Sequence, residues 1–396
     1  MVPAPSARAR KATTRALIVG GGPAGDAVAA GLRDGGFAGE IVLVGAESVM
    51  PYERPHLSKG YLVGTVARDR LGLRPGGQYR ELGVELMLGE RVAEIGAERH
   101  AAELDSGRTV SWDLICIATG SSARRLAGFE ERGLYLRELA DADALREVLT
   151  EGMHINIIGA GFIGCEVAAA AAQRGCSVRV YETLAQPLAR VLGLELGAYV
   201  ADVHRAHGVG VHLGVETLPE LPAPVVVGIG SEPRIELAKA AGLHVEQGIV
   251  VDEDGRTSAP DIFAAGDVTR FWSRLYETWL RVEHFQTAQR QGFAVGRAMA
   301  GTGDAYSEVP WFWSDQYDLN LQYAGAALAW DEIVVRGSLG IPPFTAFYLD
   351  AGRLIAAAGI NDHHTVARAR RVMEARAAIT TDQLADPRFD LRRALP

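Results

Sequence analysis

The sequence predicts an α/β protein: two Rossmann-like dinucleotide-binding lobes followed by a C-terminal α+β domain. Three observations carry this. "RALIVGGGPAGDAVAAGLRDGGFAGEIVLVGAE" reads as strand, glycine-rich turn, helix and strand. "HINIIGAGFIGCEVAAAAAQRGCSVRVYE" repeats that order in the middle of the chain. From Val309 onward the pattern changes to short alternating apolar runs, which suit antiparallel strands.

Residues 1–14 are Arg- and Ala-rich without an apolar core, so they read as a solvated, disordered extension and not a secretory signal. Ala16 to Val19 forms a buried strand. Gly20, Gly22 and Gly25 follow at G-x-G-x-x-G spacing, with Pro23 and Ala24 inside the turn. The first glycine permits the tight turn, the second lets backbone approach a pyrophosphate, and the third lets helix and strand pack closely. The helix N-terminus then offers free N–H groups to the phosphates. Ile41 to Val44 is the next strand, and Glu47 beyond it can bond ribose hydroxyls.

"PYERPHLSKGYL" comes next, from Pro51 to Leu62. Two prolines fix φ and remove donors, so the loop holds Arg54 and Lys59 with little freedom to lose. The plainer alternative is a Pro-rich turn with Ser58 starting a helix. "WDLICIATGSSARRL" is a buried strand ending in the small-residue turn Ala118, Thr119, Gly120.

In the second unit Gly159, Gly161 and Gly164 repeat the glycine spacing, with Phe162 and Ile163 inside the turn. Glu182 ends the following strand, 23 positions after Gly159. Its carboxylate accepts from an adenosine ribose and repels a 2′-phosphate, which favours NADH over NADPH. "PAPVVVGIGSEP", with Gly230, is a shortened echo of the first unit's third strand. In "TSAPDIFAAGDVTRF" a strand from Ile262 to Ala265 delivers Gly266 and Asp267 to a sheet edge, where Asp267 can bond a flavin ribityl or pyrophosphate group. Two dinucleotide sites in one chain suggest a flavin beside a nicotinamide. The flavin lobe is expected over 15–122 and 246–308, the nicotinamide lobe over 123–245, and the last domain over 309–396.

Composition excludes several classes. A net charge of −9 over 396 residues gives no basic footprint for nucleic acid. No apolar run approaches the ~20 residues that span a bilayer. Cys116, Cys165 and Cys176 are the only cysteines and have no metal-ligand or Cys-x-x-Cys spacing, so no metal site is expected and a reducing cytoplasm is.

"PYERPHLSK", "GAGFIGCE", "IFAAGDVTRF", "RVEHFQTA" and "WFWSDQYDLNLQYAG" together resemble the FAD-dependent NAD(P)H:ferredoxin reductases of oxygenase systems, whose fold is glutathione-reductase-like. The resemblance runs from about Ala16 to the C-terminus. It implies FAD and NADH as cofactors, and a small 2Fe-2S ferredoxin as partner, serving a cytochrome P-450 or a Rieske oxygenase. It implies that Lys59 sits beside the flavin and pairs with Glu166, and that Trp313, Ser314, Asp315 and Gln316 lie against the ring system, Trp313 at its edge. Val92 and Arg124 complete the expected flavin contacts. No thiol stands near Lys59, so dithiol relay chemistry is not expected. Phe162 either covers the flavin face until NADH displaces it or is a packing aromatic. Arg368, Arg370, Arg371 and Arg376 are candidates for a basic ring around an electron exit at Trp313. A monomer or weak homodimer is expected.

The internal repeat also shows a deletion. Gly89 lies 31 positions before Gly120, whereas Gly214 lies only 16 before Gly230. The missing residues correspond to a small antiparallel meander, and the Pro-rich "VETLPELPAP" crosses the gap. Thr287 stands where the resembling family more often carries Asn. Two alternatives to ferredoxin reduction stay open at this point: a flavoenzyme acting directly on a small biosynthetic substrate, and a redox-sensing flavoprotein resembling apoptosis-inducing factor.

Overall fold

The computed structural model describes residues 14–396. All but one residue of the expected N-terminal extension lies outside them.

The first lobe is built on a five-stranded parallel sheet, in the order Ile262–Ala264, Leu114–Ile117, Arg15–Val19, Glu40–Gly45, Val84–Leu88. Its central strand is buried on both faces, which is why "ALIV" reads as a continuous apolar run. Ala16 pairs with Ile41 on one side and Leu114 on the other. A strand from residue 262 therefore sits in the same sheet as one from residue 15. Helices Pro23–Asp34 and Phe285–Met299 bind these distant parts together. Their backbones touch: a Cβ on Gly31 would lie 2.1 Å from the Phe293 carbonyl oxygen, and one on Gly296 would lie 2.3 Å from that of Val28.

The second lobe repeats the plan with strands Gly210–His212, Ser177–Tyr181, His154–Ile158, Val225–Val227 and Gly133–Leu134, all parallel. The lobes are joined by a short antiparallel pair, Ser121–Ala123 with Ser231–Pro233.

The expected difference between the lobes is present. The first carries a three-stranded antiparallel meander, Val92–Gly96, Ala101–Leu104 and Thr109–Ser111. Residues 213–224 contain no strand. Instead Leu221 is buried, and Val215 and Leu218 join it against Tyr181, Val225 and Val227. The crossing segment thus seals an apolar edge that would otherwise face water.

The C-terminal sheet is antiparallel, in the order Trp311–Gln316, Leu319–Gly325, Arg353–Ile360, Ile341–Asp350, Glu332–Ser338. One helix closes it over His363–Glu374, its start capped by the Asp362 side chain. The tail adds a helical turn, Thr381–Ala385, with a capping box at Thr380. A hairpin over Thr269–Ser273 and Thr278–Leu280, added to Ile249–Val251, is not among the elements expected from the sequence.

Candidate functional site

The two glycine turns have nearly the same geometry. Gly20 takes φ +125° and Gly159 φ +96°, values that disfavour any side chain. A Cβ on Gly25 or on Gly164 would lie 2.0 Å from the carbonyl oxygen of Gly20 or Gly159, so the third glycine is required by helix–strand contact. Gly22 differs from both: a Cβ there would meet nothing within 4 Å. It faces a cavity of about 480 Å³.

That cavity is lined by Gly20, Gly22, Pro23, Ala24, Glu47, Arg54, Val92, Ala118, Thr119, Gly120 and Asp267. Eleven residues scattered from 20 to 267 in the sequence thus meet in one place. The Glu47 carboxylate accepts from the Arg54 guanidinium at 2.8 Å and from the Tyr52 hydroxyl at 2.6 Å. Burial pushes the Tyr52 phenol up, so it keeps its proton for that bond. Asp267 is held by Arg137 at 2.7 Å and by the Ser121 hydroxyl at 3.2 Å. Gly266 lies just behind, its N–H donated to the buried Gln291 side chain at 2.8 Å. The pocket fits a dinucleotide in shape and chemistry: an open glycine at a helix N-terminus, fixed arginines, and an acid at the sheet edge.

A second cavity of about 530 Å³ adjoins the first and shares Pro23, Arg54, Arg137, Asp267 and Ala288 with it. Lys59, Gly161, Phe162, Ile163, Glu166, Gly230 and Trp313 line it, so residues from both lobes and the C-terminal sheet converge. Lys59 Nζ donates to Glu166 Oε2 at 2.8 Å, with the carboxylate almost wholly buried. Ser58 also donates to Oε2, and Ser314 donates to Oε1 at 2.7 Å. Ser58 is therefore not a helix cap: the Arg54–Ser58 turn buries it and aims it at Glu166. The Lys59 ammonium lies 5.9 Å from the centre of the Trp313 ring. Phe162 packs edge-on against Phe312 with ring centroids 4.7 Å apart. His284 also faces this cavity. Its Nδ1 is buried with no partner, and burial holds its pKa at about 4, so the ring stays neutral. An orphaned ring nitrogen in a cleft suits a ligand that brings its own polar groups, as a flavin ring does.

Not every expected residue reaches these cavities. Arg124 lines neither; it turns outward to Glu232 at 3.3 Å. Arg137 and Arg234 stand in the first cavity in its place. Strand alternation divides residues 313–316. Trp313 faces the cleft, Ser314 and Gln316 are fully buried on the opposite face, and Asp315 is exposed and bonded to Asn320. None of the four tail arginines lines either cavity. Arg370 pairs with Glu308 and Glu374, and Arg376 with Glu277, which neutralises much of that run. Glu182 lies behind the second glycine turn and accepts from Ala160 N–H at 2.6 Å. Thr287 is buried with its hydroxyl unpartnered. None of the three cysteines lines either cavity, and burial pushes the thiols of Cys116 and Cys165 up, away from reactivity. Among the described residues no cluster of three or more metal-ligating side chains occurs, and no helix is long and apolar enough to cross a membrane.

Residues 14–218 and 223–292 match the family model for pyridine nucleotide-disulphide oxidoreductases, and 311–395 match the reductase C-terminal domain. The chain belongs to this family. It is 40% identical to the ferredoxin–NAD(+) reductase component of the anthranilate 1,2-dioxygenase system of Burkholderia cepacia, over 96% of this chain and 98% of that one. It is 35% identical to putidaredoxin reductase of Pseudomonas putida, over 97% of each. In structure it superposes on the reductase in the covalent putidaredoxin reductase–putidaredoxin complex with a TM-score of 0.93, covering 97% of this chain and 98% of that one at 35% identity. These relatives are ferredoxin reductases, and the protein is an oxidoreductase that uses FAD and NAD(H). The resemblance read from its motifs, the α/β fold with two lobes and a C-terminal sheet domain, and both cofactors all hold.

Proposed function

We propose that the protein is an NADH-dependent reductase of a 2Fe-2S ferredoxin that supplies a P-450 or Rieske oxygenase. The observation that carries this is the Lys59–Glu166 ion pair, 2.8 Å long, in the second cavity at the junction of both lobes with the C-terminal sheet, beside Trp313. The first cavity holds FAD, through the Gly20–Gly25 turn, Glu47, Arg54, Arg137 and Asp267. The second admits NADH, through the Gly159–Gly164 turn and Glu182. Bound FAD supplies two-electron uptake and one-electron release. The protein's part is positional and electrostatic. Lys59 holds a positive charge at the junction, and Glu166, shared among three donors, keeps the ammonium from moving. Trp313 shields the pair on the side of the C-terminal sheet and marks the electron exit.

The residue ranges given above for the three domains belong to this reading, as does a monomer or weak homodimer. A cytoplasmic location is supported by the free state of all three cysteines. Of the four tail arginines, Arg370 and Arg376 are already paired, so a basic ring at the docking surface falls to Arg368 and Arg371.

The test is NADH oxidation by the purified enzyme with and without a 2Fe-2S ferredoxin, at rising salt. Turnover should need the ferredoxin and fall as salt screens opposite charges. Turnover indifferent to the ferredoxin, with a small organic acceptor preferred, overturns the proposal. Lys59→Met should slow flavin reduction about tenfold while FAD stays bound; an unchanged rate removes Lys59 from the machinery.

A further inference from the structure

Glu166 is the end of a longer chain of contacts. Ser314 Oγ lies 2.7 Å from Glu166 Oε1, and Gln316 Nε2 lies 3.1 Å from Ser314 Oγ. Gln316 Oε1 lies 3.0 Å from His204 Nε2, and His204 Nδ1 lies 3.0 Å from the Tyr317 hydroxyl. Ser314, Gln316 and His204 are buried, at 0%, 0% and 2% exposure, so water does not complete their bonding. The chain joins the Ala189–Ala206 helix of the second lobe, the first strand of the C-terminal sheet, and Lys59 of the first lobe.

The protons in this chain can be placed one by one. Glu166 is the counter-ion of Lys59 and has no proton to give, so Ser314 must donate to it. Ser314 Oγ then needs a donor of its own, which must be the Gln316 amide nitrogen. That leaves Gln316 Oε1 facing His204, so His204 Nε2 must carry the imidazole proton. Its Nδ1 is therefore bare and accepts from Tyr317. Two observations agree. Burial lowers the His204 pKa to about 4, so the ring is neutral at physiological pH, and burial pushes the Tyr317 phenol up, so it keeps its proton. Every donor in the chain points the same way, toward Glu166. Such one-directional chains polarise each bond along their length.

We propose that His204 is a positioning residue for the Lys59–Glu166 pair, acting through Gln316 and Ser314. Neutral His204 in its Nε2–H form fixes the Gln316 amide, the amide fixes the Ser314 proton, and the serine presents one oxygen of Glu166 in one orientation. The other oxygen is thereby left to Lys59 and Ser58. To turn any link round, the Gln316 amide must flip and the His204 proton must change nitrogen, which makes the arrangement resistant to local fluctuation. The pair at the flavin junction is thus braced from the helix of the nicotinamide lobe, some 40 residues beyond Glu166 in the sequence.

This inference rests on the assignment of Lys59 to the flavin junction, and its test separates the two. In the FAD-bound full-length enzyme labelled with ¹⁵N-histidine, long-range ¹H–¹⁵N spectra should show His204 as the Nε2–H tautomer at pH 7. A Nδ1–H tautomer or an imidazolium overturns the chain, and no variant is needed to see it. His204→Leu should slow flavin reduction by NADH about fivefold with FAD retained, the scale of one lost hydrogen bond. His204→Gln, which keeps an amide donor, should recover most of that rate. In a Lys59→Met background His204→Leu should have almost no further effect, because its route to the flavin is gone. Equal effects in both backgrounds overturn the inference and make His204 a packing residue. If His204→Leu does not fold, Tyr317→Phe takes its place: the Nε2–H tautomer should persist, because Gln316 Oε1 fixes it, and a switch to Nδ1–H counts against the chain. If Lys59→Met leaves flavin reduction unchanged, the assignment under the proposed function fails, and the tautomer alone decides whether the chain exists.

Discussion

In the first lobe the chain leaves its third parallel strand and enters a three-stranded meander over residues 92–111; in the second, residues 213–224 cross the same interval without a strand. The glycine turns beneath are near copies, down to the same 2.0 Å approach behind the third glycine. The difference lies in what each appendage does. Glu90, Arg91, Val92, Ala93 and Asp105, at or beside the meander, form a wall of the first cavity. Nothing from 213–224 lines the second. The first cavity thus has a wall on this side that the second lacks, as suits a ligand that has to stay. FAD must remain through many turnovers, whereas a nicotinamide must leave after each one. Without a meander the second lobe lacks such a wall, at a site whose ligand has to leave.

Matched substitutions test this contrast. Gly25→Ala and Gly164→Ala insert the same methyl group against the same kind of carbonyl oxygen. Gly25→Ala should yield protein without flavin absorbance. Gly164→Ala should stay yellow and raise the KM for NADH about tenfold or more, at ~1–3 kcal/mol for overpacking. Yellow Gly25→Ala protein with full activity breaks the comparison. The acid at the second turn should give a ~100-fold preference in kcat/KM for NADH over NADPH. Glu182→Gln should narrow it, and equal efficiency of the wild type with both nucleotides removes Glu182 from the site.

Acid should act on both halves. His204 belongs to the second lobe and His284 to the first, where it faces the second cavity, and burial lowers each pKa from 6.5 to about 4. The unfolded chain binds these two protons at a higher pH than the folded one does. Stability is thus fully present above pH 6.5 and is lost as pH falls toward 4, by about 2 kcal/mol per histidine at pH 5. Urea unfolding at pH 7 and pH 5 measures this. His284→Gln should remove one histidine's share of the loss, and an unaltered pH dependence in that variant sets the assignment aside. The smallest effect concerns Phe162, which rests on Phe312 within the second cavity. Phe162→Ala should change the rate of flavin reduction by NADH about threefold; a change confined to thermal stability makes it a packing aromatic.

The local signals of the fold are legible in the amino-acid order itself. Strands such as "ALIV" and "NIIG" are short apolar runs set directly before glycine turns, and one chemistry explains both. The deletion is legible because the chain carries its own reference copy. Arg137 and Arg234 escape such a reading for the opposite reason. Arg137 matters only because Asp267 lies 130 positions away, and Arg234 only because Glu138 lies 96 positions away. No local pattern encodes such pairs. Arg124, one residue past the short strand Ser121–Ala123, has the right chemistry but leaves that strand on its outer side. Residues 314–316 are a different case, because a local rule does divide them. Period-two alternation along "WFWSDQ" puts Ser314 and Gln316 on the face opposite Trp313, so the four residues from 313 to 316 cannot all lie against one ring system. Ser58 misleads because a serine near a helix start usually caps it, and here a distant carboxylate competes better for the hydroxyl.

The touching backbones of helices Pro23–Asp34 and Phe285–Met299 also bear on how the protein is made. About 250 residues separate these helices, and no side chain larger than hydrogen fits at Gly31 or Gly296 where they meet. At ~5–20 residues per second, a ribosome spends roughly ten to fifty seconds between the two. Throughout that interval the first glycine turn has its phosphate-binding backbone but not the helix that packs behind it, nor the strand that carries Asp267. The second lobe, contiguous in the chain, is synthesised whole within the same interval. The nicotinamide half is thus free to fold first, and the flavin half must wait, open, for its own last third to emerge.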